Sequence, residues 1–269
     1  MSFVRRLFLF VAIIAGFAQA GHAVTLDWDG VTWTAGTLTK GFDIDPSKAG
    51  NDITVTVSGN TTQLQTELVS PNPMTPAITK DFLGGLATAQ NTLCLAVNFT
   101  NQSQFVTVKI DFSALYAAGV QNVSFTLFDI DYSAVSGNNY QDKLSSITAT
   151  SIDGTTLIAP TITTSSNNTR TGSGLTQVVT GTVSTSDLGA GSGNGNVTIS
   201  FGTAAIKSLT FTYGAGNGAG TIADPTYQHV GIHDITFTPV PEINPAWSAL
   251  GSCLVAAGLI LRHSAKFRK

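Results

Sequence analysis

The string Phe-Asp-Ile-Asp occurs twice, at residues 42–45 and 128–131, and each copy is followed by another aspartate ahead of a new run, Asp52 and Asp142. On an extended strand Asp129 and Asp131 share one side, with Ile130 opposite. Two carboxylates on one side, met by Asp142 from a nearby segment, repel unless something positive intervenes. Lys143 can do that, and so can a structural Ca²⁺, which takes about 6–8 oxygen ligands. Turn-capping aspartates explain the same pattern without a metal. The apolar phase also slips at Leu127 and Phe128, from odd positions to even ones, which predicts a β-bulge or a strand end that re-aims the following side chains.

A second acidic set comes from the two ends of the same region. Asp27 and Asp29 flank Trp28 in "LDWDGVTW" and fall on the face opposite to it. In "HVGIHDITF", Val230 and Ile232 share one parity and Ile235 and Phe237 the other, so register changes near His233 and Asp234. If the first and last strands pair, Asp27 or Asp29 approaches Asp234, a second candidate for structural calcium. His229 and His233 lack a nameable third ligand for zinc. Cys94 is the single cysteine before the C-terminal segment that holds Cys253, so no internal disulfide is available to that region. Flanked by Leu93 and Leu95, it reads as a small buried hydrophobe.

For ligand stacking, the candidate aromatic platform is Trp28, Trp33, Tyr132, Tyr140 and Tyr227, against the commoner expectation that such rings are buried. Enzyme signatures are absent: there is no Gly-x-Ser-x-Gly, no His-Glu-x-x-His and no Gly-x-x-x-x-Gly-Lys. A glycoside hydrolase needs two carboxylates across the sugar, and nothing in the spacing singles out such a pair.

The elements that must position these groups read in period two. In "FVTVKIDF", Val106, Val108, Ile110 and Phe112 alternate with polar residues. The same alternation runs through Ile53, Val55 and Val57, through Val123, Phe125 and Leu127, through Val197, Ile199 and Phe201, and through Leu209, Phe211 and Tyr213. These are half-buried strands, and one apolar face each requires two sheets packed face to face or a closed barrel. Residues 114–118 are the one local helix candidate. The glycine-rich runs 189–196 and 214–220 read as inter-strand loops, with no lysine-headed helix to make a phosphate cradle.

The chain of 269 residues carries a net charge of −3, but residues 24–238 hold seven basic against fifteen acidic side chains, a net of −8. Nucleic acid is therefore not an expected partner, because phosphate contacts need clustered Lys and Arg. Arg5 and Arg6 precede an apolar stretch and small residues at Ala18, Ala20 and Ala23, the order of a secretory signal peptide, with cleavage expected after Ala23 or Ala20. At the other end, residues 246–261 carry no charge and are followed by Arg262, His263, Lys266, Arg268 and Lys269. At about 1.5 Å per helical residue this run reaches about 24 Å, a short transmembrane helix whose basic tip stays cytoplasmic.

With Pro241 and Glu242 ahead of it, this tail resembles the PEP-CTERM sorting signal of Gram-negative bacteria. The resemblance covers about 30 residues and departs from the family at Ile243, where the second proline usually stands. It implies processing by an exosortase-like membrane enzyme and release to the cell surface or the extracellular matrix; a permanent membrane anchor is the alternative. "FTLFDIDYS", the Asp in "YQDKL", the turn in "SIDGT" and the final "GIHDITFTPVPE" also resemble jelly-roll modules common among PEP-CTERM proteins, some of which are associated with exopolysaccharide. The resulting expectation is an all-β, antiparallel, jelly-roll-like β-sandwich at 24–238, between a signal peptide (1–23) and a sorting or anchor segment (239–269). Its expected role is structural and non-catalytic, in exopolysaccharide. A carbohydrate-binding module is the alternative, and a glycoside hydrolase ranks below both.

Overall fold

The computed structural model describes residues 21–67, 71–80, 84–86, 88, 90–135, 138–182, 193–218 and 227–242. Residues 1–20 of the expected signal peptide (1–23), and Ile243, Arg262 and the apolar run of the tail, lie outside these residues. Among the described residues no helix is long and apolar enough to cross a membrane. One compact unit, His22–Val240, contains all the strands.

In chain order the strands begin with β1 (Val24–Leu26), β2 (Thr39–Phe42), β3 (Ile53–Gly59), β4 (Ala77–Thr79), β5 (Thr92–Val97) and β6 (Phe105–Phe112). They continue with β7 (Val120–Phe128), β8 (Tyr132–Val135), β9 (Asn138–Ser151), β10 (Leu157–Ile158), β11 (Thr161–Thr164) and β12 (Asn168–Thr171). The last are β13 (Val178–Gly181), β14 (Val197–Ser200), β15 (Ile206–Ala215), β16 (Gln228–Ile232) and β17 (Ile235–Pro239). Every pairing is antiparallel, as the alternating pattern requires when each strand has one wet face.

The pairings resolve into two layers. The first runs β2-β3-β6-β15-β9, with β10 and the β13-β12 pair along the far edge of β9. The second runs β4-β5-β16, then β7, β14 and β11, with β17 continuing the line of β16 and β1 at its side. Among the described residues the two layers meet in the ladder where Ile206 pairs with Val120. Across the interior, Phe125 of β7 meets Phe211 of β15 at 5.8 Å between ring centroids, and Phe237 of β17 meets Phe112 of β6 at 5.0 Å. The fold is therefore an antiparallel β-sandwich, and the alternating residues read from the sequence are the ones that fill it.

Three departures from plain alternation shape the candidate sites. The slip at Leu127 and Phe128 is a strand end: β7 stops at Phe128, and Asp129 turns through a left-handed φ of 66°. The slip at His233 and Asp234 separates β16 from β17. Strand β5, "TLCLAV", is buried on both faces, because Glu67 against Cys94 and Thr75 against Ala96 cover the side away from the core. A continuous apolar run of this kind is the signature of a strand covered twice. The expected helix at 114–118 is instead a pair of tight turns, with Tyr116 N donating to Ser113 O and Gly119 N to Tyr116 O. Tyr116 is drawn inward at that point to reach Asp52 across the layer (2.8 Å).

Trp28 is fully buried and sits edge-on to Trp33 (6.5 Å) and Phe42 (5.7 Å), closing one end of the core. Truncating it to alanine leaves a large cavity and is expected to cost about 3–5 kcal/mol. For a domain of this size that lowers the melting temperature by roughly 6–20 °C, measurable by thermal unfolding followed by circular dichroism. A change below about 2 °C would mean that the ring is not enclosed.

Candidate functional site

The repeated Phe-Asp-Ile-Asp strings build one arrangement twice. In the first copy, Asp52 Oδ2 accepts the backbone N–H groups of Ile44 and Asp45, both at 2.7 Å, while Oδ1 accepts the Tyr116 hydroxyl at 2.8 Å. In the second, Asp142 Oδ2 accepts the N–H of Asp131 at 3.0 Å, and Oδ1 accepts the Tyr213 hydroxyl at 2.6 Å and Gln228 Nε2 at 2.8 Å. In both cases an inward carboxylate ties the irregular turn after the motif to a tyrosine on or just beyond the strand that follows in the sheet. Asp45, Asp52, Asp131 and Asp142 are all buried.

The second copy is the more enclosed. Gly181 packs so closely on the Asp131 carbonyl that a side chain there would collide with it. Burial and the adjacent Asp131 charge push the Asp142 carboxyl well above its ordinary value, against the opposing pull of its three donors. Tyr213 and Tyr140 are pushed up in turn, first by burial and then by the Asp142 charge; Tyr140 also bonds to Asp131. Asp129 and Asp131 do not alternate cleanly about Ile130, because the left-handed turn breaks the strand, and Asp131 and Ile130 are both buried. Lys143 follows Asp142 on β9 and faces the other way; the hydrogen-bond donors at this pair are the Tyr213 hydroxyl and Gln228 on Asp142 and the Tyr140 hydroxyl on Asp131.

The second acidic set also comes together, because β1 pairs with β17, with Leu26 opposite Ile235. Trp28 N donates to Asp234 Oδ1 at 3.1 Å, Asp29 N to Asp27 Oδ1 at 2.8 Å, and Asn91 N to Asp29 Oδ2 at 3.3 Å. Burial raises the Asp234 carboxyl, and the charges of Asp27 and Asp29 add to that while the Trp28 N–H and His233 oppose it. Lys80 lies 3.8 Å from Asp29, and His233 bonds to Gln90 at 2.7 Å. Both oxygens of Asp142 and one each of Asp27, Asp29 and Asp234 already accept protein N–H or O–H donors, which leaves few of these oxygens for Ca²⁺. Among the described residues no group of three or more His, Cys, Asp or Glu is arranged to hold a metal.

A third cluster escaped the sequence reading. Cys94 is buried as expected, but its thiol is aimed at a carboxylate: Sγ donates to Glu67 Oε2 at 2.6 Å. His229 Nδ1 lies 3.4 Å from the other oxygen of Glu67. Burial holds the imidazole below its ordinary value, against the raising pull of Glu67. The carboxylate stands between thiol and imidazole, so the imidazole is not placed to take the thiol proton as in a nucleophilic Cys–His pair. The available signal was that Glu67 is the one glutamate in residues 24–238. What joins the three is the β5–β16 register, which sets His229 opposite Ala96 and Gly231 opposite Cys94.

The stacking residues divide. Trp28 and Trp33 are taken into the core and are withdrawn from any platform. Tyr132, Tyr140 and Tyr227 are half-buried, and the hydroxyls of Tyr140 and Tyr227 are bonded inward, the latter to Thr66 O at 3.2 Å. Among the described residues, Phe105 is the one large exposed aromatic side chain. Pro241 and Glu242 follow β17 directly, both exposed.

No protein-family model and no curated relative matches the chain. Among solved structures, a carbohydrate-binding module specific for non-crystalline cellulose overlaps 67% of this chain and 89% of its own, at 9% identity and a TM-score of 0.35. The family 11 carbohydrate-binding module of a cellulosomal cellulase from Clostridium thermocellum overlaps 84% and 99%, at 10% identity and a TM-score of 0.27. A family 32 module from a Clostridium perfringens family 31 glycoside hydrolase overlaps 66% and 92%, at 11% identity and a TM-score of 0.25. With every TM-score below 0.5 the overlap is loose, and nothing about ligands follows from it.

Two outcomes follow from these clusters. The raised Asp142 pKa stabilises the fold fully below the unfolded value near 3.8, and that contribution is lost as pH rises through the folded value. The thermal advantage of the wild type over Asp142→Asn is therefore largest near pH 4 and shrinks toward neutrality; a difference constant with pH would contradict the assignment. In a Cys253→Ser background, native Cys94 is expected to resist an aromatic disulfide reagent and to react at once in denaturant. Rapid stoichiometric labelling of the native protein would show that the thiol is accessible.

Proposed function

We propose that the protein is an exported, non-catalytic component of the bacterial cell surface or extracellular matrix, carried by the sandwich at residues 24–238. In this reading residues 239–269 are a PEP-CTERM-like signal: Pro241, Glu242 and Ile243 are the motif, and Arg262 opens the basic cluster. The partner is an exosortase-like membrane enzyme, and the protein is held in the inner membrane by its tail until the cut. The observation that carries the reading is where the fold finishes. Strand β17 ends at Pro239, Val240 N donates to Gly119 O at 3.0 Å, and Pro241–Glu242 follows at once. A cut there leaves every strand pairing intact. The inward closure of Asp52 and Asp142 supports a structural rather than a hydrolytic role, since carboxylates engaged with backbone and phenol are not presented across a substrate. The alternative, carbohydrate binding through an aromatic platform, is weakened by the burial of Trp28 and Trp33.

The test is the intact mass of the native protein from membrane and released fractions. A released species ending between Val240 and Ile243 is expected. A protein that retains Lys269 in every fraction would make the tail a permanent anchor and overturn the sorting assignment.

A further inference from the structure

The outer face of the first sheet ends in a groove of about 580 Å³. Its floor is a cross-strand row: Asp111 of β6 pairs with Ser208 of β15, and Ser208 with Thr150 of β9. Lys109, one outward position along β6, places its ammonium 2.7 Å from Asp111. Lys207 and the half-exposed Ile152 stand at the side.

Lys207 is exposed and makes no ion pair or hydrogen bond among the described residues. Gly154, with a left-handed φ of 80°, gives its ammonium room, because a Cβ there would strike it. The groove thus gathers two of the seven cations in a body of net charge −8 and leaves one of them without a counter-charge. The Lys109–Asp111 pair presents a donor beside an acceptor at fixed spacing, which suits two neighbouring hydroxyls of one ring. Ser208 and Thr150 add further hydroxyls, and Ile152 offers an apolar edge for C–H groups. The volume lies within the range of ligand sites, about 300–1,000 Å³.

We propose that this groove binds a short stretch of an acidic polysaccharide, with a uronate carboxylate on Lys207 and adjacent hydroxyls on Lys109 and Asp111. The inference rests on the matrix reading and names the polymer chemistry that the sandwich meets there. It differs from an aromatic platform in needing one local charge contact at Lys207, made against the background of a body of net charge −8.

The probe is polygalacturonate, titrated calorimetrically into the full-length protein, with the fully methyl-esterified polymer as the neutral control. Wild type binds the free-acid polymer and not the ester, and Lys207→Gln weakens binding about tenfold, the scale of one charge-assisted hydrogen bond. Lys207→Arg keeps it. An unchanged Lys207→Gln, equal binding of the ester, or no binding by wild type would each overturn the proposal. Lys207 is exposed, so an unaltered melting temperature separates lost recognition from lost fold. The mass measurement stands apart: a retained tail would sink the sorting assignment while leaving this titration to be read on its own.

Discussion

Two buried carboxylates, Asp52 and Asp142, hold the places where this sandwich departs from regular pairing. A carboxylate out of water is costly unless donors surround it, and removing its donors costs more than the bonds appear to contribute. Each of these aspartates gathers backbone N–H groups from the turn before it and a phenol from a tyrosine more than sixty residues later in the chain. The sheet order follows from this constraint, because Tyr116 and Tyr213 meet their carboxylates only if β6 lies beside β3 and β15 beside β9. Apolar alternation alone is satisfied by several strand orders; a buried charge is satisfied by few.

The irregular points have a common cause. Asp129 adopts a left-handed backbone and ends β7, which turns Asp131 and Ile130 inward together. The break at His233 and Asp234 lets one line of chain pair with β5 in its first half and with β1 in its second. Asp234 then caps Trp28 N, so the aspartates nearby work as turn anchors around a buried indole. Both sets are compact enough to suggest metal in sequence, and in space several of their oxygens accept protein donors instead.

These inward-facing acids also bear on function. The buried carboxylates are tied to backbone and phenol, and on the outer face of the first sheet lysines, hydroxyls and one carboxylate share a groove. The result is a hydroxyl-rich sheet surface carried on a core that uses no disulfide among the described residues.

The strands were legible from composition and period, because a half-buried strand must alternate; "FVTVKIDF" reads directly as β6 with Val106, Val108, Ile110 and Phe112 inward. Both register slips were legible for the same reason; the pairing of the first and last strands that brings Asp27, Asp29 and Asp234 together was an expectation from jelly-roll topology, not from alternation. The function of the aspartates was not. Whether a carboxylate meets an ion, a lysine or a phenol depends on partners more than sixty residues away, and neither Tyr116 nor Tyr213 carries a local mark of that role. The fate of Trp28 and Trp33, core rather than platform, turned on which end of the sandwich needed filling. Cys94 and His229 were read separately, one as a small hydrophobe and one as a histidine short of ligands, and only the β5–β16 register placed them beside Glu67. Sequence by itself determined the period and the breaks, since these are local; the tertiary structure decided which charges would be buried and by what they would be answered.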